Sequence, residues 1–310
     1  MSRLAFLFPG QGSQHADMGV ELLADPEIAD LADRCASAAG IDLRRLLTEA
    51  DDDELRLTTN AQPALLFMGV ALARLLARQG IVPDAAAGHS VGEYTALCVA
   101  GAIAPEEAVR TVVERGRAMA EASPPGTSSM AAVLGLEIDA VEAALRGVPD
   151  VWPANYNTPT QTVVGGTVGA LERATEVLME AGARRVVPLN VAAAFHTPIV
   201  EPAGAALRDT LQSVSWRTPD VPVVANLDAE PYADGGAIPE SLERQLSSPV
   251  RWADCVRRLN ALGCDRFFEV GPKRALTGMM RELVPGATAR AVSNPEAVAA
   301  LAPTGSSQDC

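Results

Sequence analysis

The stretch Gly88-His89-Ser90-Val91-Gly92-Glu93-Tyr94 sets a serine between two glycines in the pattern G-x-S-x-G. That pattern suits a sharp turn from a strand into a helix. The turn exposes the serine hydroxyl for nucleophilic attack, and the glycines let neighbouring backbones pass closely. A serine so placed sits at a helix N-terminus, and the N–H of Val91 then points to where an oxyanion would form. A chance match is the plain alternative in a chain with 25 glycines. A short apolar strand before it (Ala85–Gly88) and a helical pattern after it (Val91 to Ala100) favour the elbow.

A nucleophilic serine needs a base, and the chain has three histidines. His89 is the serine's own neighbour, and in a tight elbow its ring turns away from the hydroxyl. His15 lies in a polar loop. His196, in "AAAFHTPIV", precedes a helix that Thr197 can cap and Pro198 can open. A helix start disfavours imidazolium, which would keep His196 neutral and able to accept a proton. A histidine at a helix entry is more often a surface residue, yet His196 is the best candidate base.

An oxyanion hole needs a second donor. Gln11 lies in the glycine-rich loop "FPGQGSQ" directly after the first strand. Loops at the C-terminal ends of parallel strands are where α/β sheets bind ligands. A flexible turn is the alternative. Arg115, in "VVERGRAM", falls on the second helix after the elbow. A charged residue on a helix is ordinarily solvated. Buried in a cleft, a guanidinium would hold a carboxylate by two parallel hydrogen bonds.

These residues need a scaffold. Leu4–Phe8 reads as a buried strand, Asp25-Pro26 as a helix start, Pro63 to Gln79 as a helix ending at Gly80, and Pro105 to Ala122 as another helix. "SPPGTS" at 123–128 reads as a linker. Then come a strand (Met130–Leu136), a helix (Asp139–Arg146), two strands (Val151–Asn155, Thr162–Gly166), a helix (Leu171–Ala181) and a strand (Arg185–Leu189). That order, β-α-β-β-α-β, is ferredoxin-like. Afterwards a helix over Pro198–Gln212, a strand at Pro222–Ala225, a helix over Val250–Leu262, a strand at Arg266–Val270 and a helix over Arg274–Leu283 resume the α/β alternation. Alternating strands and helices imply a parallel sheet covered on both faces. The expected fold is an α/β-hydrolase-like large domain (1–125 and 198–310) with an inserted ferredoxin-like small domain (126–197) and a frayed tail from Ala302.

Composition narrows the function. A net charge of −14 argues against nucleic-acid binding, which wants a basic face. No run of 18 apolar residues occurs, so no membrane span is expected, and the apolar N-terminal run is too short for a signal peptide. Five scattered cysteines without a C-x-x-C pair argue against a disulfide framework or a zinc site, so no metal is expected. A cytoplasmic monomer is the expectation.

Taken together, "FPGQGSQ", "GHSVGEY", "ERGRAM", "NYNTPTQTVVGG", "AAFHTP", "QLSSPVRW" and "FFEVGP" occur in an order that resembles the malonyl-CoA:acyl carrier protein transacylase family, which includes the acyltransferases of fatty-acid and polyketide synthases. The resemblance runs from residue 8 to about 272. It implies that Ser90 is the nucleophile and His196 the base. It implies that the backbone carbonyl of Gln245 orients the histidine, and that Gln11 and Val91 form the oxyanion hole. Arg115 would clamp the free carboxylate of malonyl, Phe195 would exclude the branch of methylmalonyl, and Asn157 would line the pocket. The implied substrate is a coenzyme A thioester, with no tightly bound cofactor, and the implied acceptor is an acyl carrier protein. Carrier proteins are acidic, so Arg184, Arg185, Lys273, Arg274 and Arg281 are candidate docking residues. "GTSSMAAV" and "GPKRALTG" carry substitutions where the family commonly has more glycine, and "FHTPIV" differs mildly from the usual form. The alternatives are transfer of a different acyl group in a polyketide pathway, hydrolysis on the same machinery, or a non-catalytic carrier-protein-binding subunit.

Overall fold

The computed structural model describes residues 2–124, 126–191 and 193–301. The strands are β1 (Arg3–Phe8), β2 (Ala85–Gly88), β3 (Ser128–Leu134), β4 (Val151–Thr158), β5 (Gln161–Thr167), β6 (Arg185–Pro188), β7 (Val223–Val224), β8 (Cys264–Val270) and β9 (Thr288–Val292). They form two sheets. The first is entirely parallel, in the order β7-β2-β1-β8-β9. The second is antiparallel, in the order β4-β5-β3-β6, the ferredoxin-like arrangement.

Successive side chains of a strand face opposite ways, and β1 uses both faces. Leu4, Phe6 and Phe8 enter a core shared with the helices Pro26–Ala39 and Thr58–Arg78. Ala5 and Leu7 enter a second core beneath the helix Trp252–Ala261. A strand buried on both sides must be apolar, as this one is from Leu4 to Phe8. The antiparallel sheet divides its residues the same way. Ala131, Val133 and Val164 pack under the helices Ile138–Leu145 and Val168–Glu180. Met130, Ala132, Ala154 and Val163 face the large core instead. The edge strand β4 is tied to the large sheet's side by backbone bonds from Tyr156 to Val250 and from Val250 to Ala154.

Most expected elements are present, with shifted ends. The helix Pro105–Ala122 has the expected bounds, and Asp25 caps the helix after it by accepting from the N–H groups of Glu27 and Ile28. The helix placed at Pro63 starts earlier, at Thr58, with Pro63 inside it. That helix is long and apolar enough to cross a membrane, yet most of it is buried in the protein's own core. The helix expected over Arg274–Leu283 is reduced to Met280–Leu283. The reason is Glu269 at the end of β8. Its buried carboxylate accepts from the backbone N–H groups of Ala275, Leu276 and Thr277, which holds them in a turn. Short helices at Leu43–Thr48, Asp52–Arg56, Ile238–Gln245 and Pro295–Ala299 and the edge strand β9 are additional. Pro125 of the expected linker and the tail from Ala302 lie outside the described residues.

Candidate active site

The chain turns at Ser90 between β2 and the helix Gly92–Val99. Ser90 has φ 53°, in the left-handed region where a non-glycine residue is strained. The flanking glycines are sterically required. A Cβ on Gly88 would lie 1.9 Å from the carbonyl group of Gly92, and one on Gly92 would lie 2.2 Å from the carbonyl oxygen of Phe8. Asn226, two residues beyond the end of β7, clasps both ends of the turn. Its Oδ1 accepts from the Ser90 N–H at 2.8 Å and its Nδ2 donates to the Gly88 carbonyl at 2.7 Å.

His196 reaches the serine from the segment that follows β6. Its Nε2 is 2.7 Å from Ser90 Oγ, and its Nδ1 is 2.9 Å from the main-chain carbonyl of Gln245. A carbonyl only accepts, so Nδ1 carries the proton, Nε2 is bare, and the Ser90 hydroxyl donates to it. Gln245 ends the helix Ile238–Gln245, where carbonyls lack intrahelical partners. His196 takes two of them, because its backbone N–H also bonds the Leu246 carbonyl. A helix C-terminus favours positive charge, so it stabilises imidazolium as it forms. His196 itself has φ 60°.

The expected helix-start effect on His196 is replaced by other causes. The Thr197 side chain does not cap, since its hydroxyl donates to the Ala194 carbonyl at 2.6 Å. The imidazole pKa is lowered to about 3 because the ring is buried and the Arg115 cation is close. The base is therefore neutral at rest.

Arg115 is no surface charge: it is 1% exposed. Its Nη1 donates to Gln62 Oε1 at 2.8 Å, and its Nη2 donates to Gln245 Oε1 at 3.0 Å and to Ser90 Oγ at 3.1 Å. These partners are neutral oxygens, and the buried Nε has no partner among the described residues. Burial lowers the guanidinium's pKa.

A cavity of about 100 Å³ opens on the hydroxyl, lined among others by Gln11, Val91, Arg115, Met130, Asn155 and Phe195. It is smaller than the roughly 300–1,000 Å³ of drug-sized ligand pockets, so it suits a short acyl group. The backbone N–H groups of Gln11 and Val91 bond to no other described residue. The Gln11 side chain turns aside to Arg56 and Thr58. Asn157, expected to line the pocket, instead holds His89 through a 3.0 Å bond from Oδ1 to Nε2. Asn155 takes the lining position. A step of two residues along β4 displaces the side chain by about 7 Å, which puts Asn157 at the ring of His89.

Sequence reasoning missed Asn226, Gln62, Glu93 and the side chain of Gln245. Asn226 had one usable signal, its place at the C-terminal end of a parallel strand. Glu93 and Gln62 are polar residues inside apolar helical stretches, a pattern that asks for buried partners.

A strained serine on a strand-to-helix elbow, a neutral histidine bonded to it and free N–H donors beside it define an enzyme of the acyl-transferring serine class. The acyl transferase domain family matches residues 5–304, and the chain belongs to that family. It is 41% identical over 303 residues to the malonyl CoA-acyl carrier protein transacylase of Bacillus subtilis, covering 96% of each chain. With the Escherichia coli K12 protein of the same name it shares 40% identity over 305 residues, covering 97% of this chain and 99% of that one. Among solved structures, the malonyl-CoA:acyl carrier protein transacylase of Xanthomonas oryzae pv. oryzae superimposes with a TM-score of 0.93 at 39% identity, covering 97% of this chain and 98% of that one. A malonyl-transacylase solved in complex with its type II polyketide synthase acyl carrier protein gives a TM-score of 0.93 at 36% identity, covering 97% and 99%.

Proposed function

We propose that this enzyme moves a malonyl group from malonyl-CoA to the phosphopantetheine thiol of an acyl carrier protein, in fatty-acid or polyketide synthesis, through an ester on Ser90. The observation that carries the reading is the guanidinium of Arg115. It is fully buried, bonded only to neutral oxygens and within reach of the nucleophile. Among the described residues no carboxylate bonds this cation directly, since Glu93 reaches it only through Gln245, and an acyl group with its own carboxylate would supply the direct partner.

The steps follow from the geometry. Ser90 Oγ attacks the thioester carbonyl while its proton passes to His196 Nε2, 2.7 Å away. The carbonyl oxygen gains negative charge and accepts from the N–H groups of Val91 and Gln11. Collapse breaks the carbon–sulfur bond, and the CoA thiolate takes the proton from His196. The second half runs in reverse: the carrier's thiol gives its proton to His196 and attacks the ester, and Ser90 Oγ recovers the proton as it leaves. Among the described residues no acid bonds His196 to complete a triad. The Gln245 carbonyl holds the imidazole and stabilises its charged form.

Phe195 lines the cavity, and its ring would occupy the space that a branch methyl needs. For the carrier, Lys273 and Arg274 are the best placed of the basic candidates, because they follow β8 at the end of the sheet where Ser90 also lies. Arg185 starts β6, four residues before the cavity-lining Leu189, which is about 13 Å along an extended chain.

Mass spectrometry of the intact enzyme after exposure to a panel of acyl-CoAs tests the reading. A malonyl adduct that is absent in Ser90→Ala and discharged by carrier protein is expected. An enzyme that takes no malonyl would sink the reading. Rapid loss of the adduct in buffer alone would make it a hydrolase.

A further inference from the structure

Behind the serine and histidine lies a buried carboxylate that the mechanism above does not use. Glu93 is the acid of "GHSVGEY", on the helix that begins at the elbow, and it is wholly buried. Its Oε1 accepts from Tyr232 Oη at 2.5 Å. Its Oε2 accepts from Gln245 Nε2 at 2.7 Å and from the Asn226 backbone N–H at 3.1 Å. Each partner offers a donor, so the cradle is built for an ionised carboxylate.

Two of these partners control the reacting groups. Asn226 holds the Ser90 N–H and the Gly88 carbonyl, the two ends of the elbow. Gln245 holds His196 through its main-chain carbonyl, Arg115 through its side-chain oxygen and the Ser90 carbonyl through its side-chain nitrogen. A side-chain amide can turn over and exchange its oxygen and nitrogen. With Glu93 accepting on one side and Arg115 donating on the other, only one orientation of Gln245 satisfies both.

We propose that Glu93 is a positioning residue for acyl transfer, which through Gln245 and Asn226 keeps the His196 acceptor, the Arg115 guanidinium and the Ser90 elbow in register. This rests on reading Ser90 and His196 as the reacting pair. The charged and titratable groups facing Glu93 are Arg115 from the helix Pro105–Ala122, Cys255 from the helix Trp252–Ala261, Tyr232 from the segment after β7, and its neighbour Tyr94. Burial raises the Glu93 pKa to about 7, against the pull of its three donors and of Arg115. A protonated Glu93 can give its proton only to Tyr232 Oη, whose hydroxyl then turns to Ser241, and its bonds from Gln245 and Asn226 lose the carboxylate's charge. Reactivity of Ser90 therefore falls as pH drops through this range.

The test is the rate at which a fluorophosphonate labels Ser90 in the full-length enzyme, measured across pH alongside malonyl transfer. Glu93→Gln is expected to slow labelling about 100-fold, the scale of an ångström-sized misplacement, and to abolish the limb near neutral pH. Tyr232→Phe removes one donor from the carboxylate and is expected to move that limb to higher pH. A folded Glu93→Gln enzyme that labels at the wild-type rate overturns the proposal. If that variant does not fold, Tyr232→Phe decides, and an unmoved limb overturns it. A wild-type enzyme that labels readily but accepts no malonyl defeats the functional reading and leaves the role of Glu93 standing.

Discussion

Arg115 Nη2 donates a hydrogen bond to Ser90 Oγ across 3.1 Å, although Ser90 sits in the turn before one helix and Arg115 on the next, 25 positions apart. The hydroxyl thus accepts from a cation while it donates to His196. In the proposed mechanism one guanidinium serves two ends: it would stabilise negative charge growing on the serine oxygen and pair with the carboxylate of the acyl group.

Arg115→Ala should therefore separate acyl groups by charge. Acylation by malonyl-CoA should fall by about 100-fold or more, because a charge-assisted pair with two hydrogen bonds is lost in a dry site. Acylation by acetyl-CoA should fall less. Arg115→Lys should recover little, since an ammonium cannot reproduce the planar fork that reaches Gln62, Gln245 and Ser90 together. Rates of acyl-Ser90 formation by mass spectrometry decide this, and equal losses for both donors would contradict it.

The strain at the elbow gives a stability prediction. Ser90→Ala and Ser90→Gly both remove the hydroxyl and its bonds to His196 and Arg115, and both should abolish acylation. They differ at φ 53°, where glycine is at ease and alanine is not. The glycine variant should be the more stable by about 0.5–1 kcal/mol, once glycine's greater unfolded-state freedom is subtracted. Urea unfolding of the two variants measures the difference, and a more stable alanine variant would refute it.

The elbow and the alternation of strands and helices were legible because each is local, and the candidate base because the chain offers three histidines to choose from. Gly88 and Gly92 flank Ser90, and Pro105 and Asp25 mark helix starts within one turn. What escaped is what long-range packing decides. Asn226 joins Ser90 from 136 positions away, and Gln245 joins Glu93 from 152. Arg115 looked like a solvated charge until the helix Thr58–Arg78 and the Gln245 side chain were placed against it. The helix expected after residue 274 failed for a similar reason, since Glu269 captures its first backbone donors.

Stability against pH should show two buried groups pulling in opposite senses. His196 has a folded pKa of about 3 against an ordinary 6.5, so between those values the unfolded chain binds more protons and stability falls as pH falls. Glu93 has a folded pKa of about 7 against an ordinary 4.5, so between those values the folded protein binds more protons and stability falls as pH rises. From pH 4.5 to 6.5 the two slopes oppose each other. His196→Gln should expose the glutamate's slope, with stability declining by up to about 1.4 kcal/mol per pH unit as pH rises. Glu93→Gln should expose the opposite slope. Denaturant unfolding across this range checks the signs, and an unchanged slope in either variant counts against the corresponding assignment.

We propose that Phe195 carries the finer choice between acyl groups. It lines the small cavity beside His196 and is only 7% exposed. On that reading, a methyl branch on the malonyl group would have to occupy space its ring holds. Phe195→Ala should raise methylmalonyl over malonyl by about 10- to 200-fold, the discrimination that one methylene-sized difference supports. The change should come mostly from improved methylmalonyl acylation, since malonyl keeps its grip on Arg115. Competition between the two CoA thioesters, read from the masses of acylated Ser90, measures the ratio. If the variant loses malonyl transfer without gaining methylmalonyl, Phe195 shapes the His196 loop and does not select the substrate.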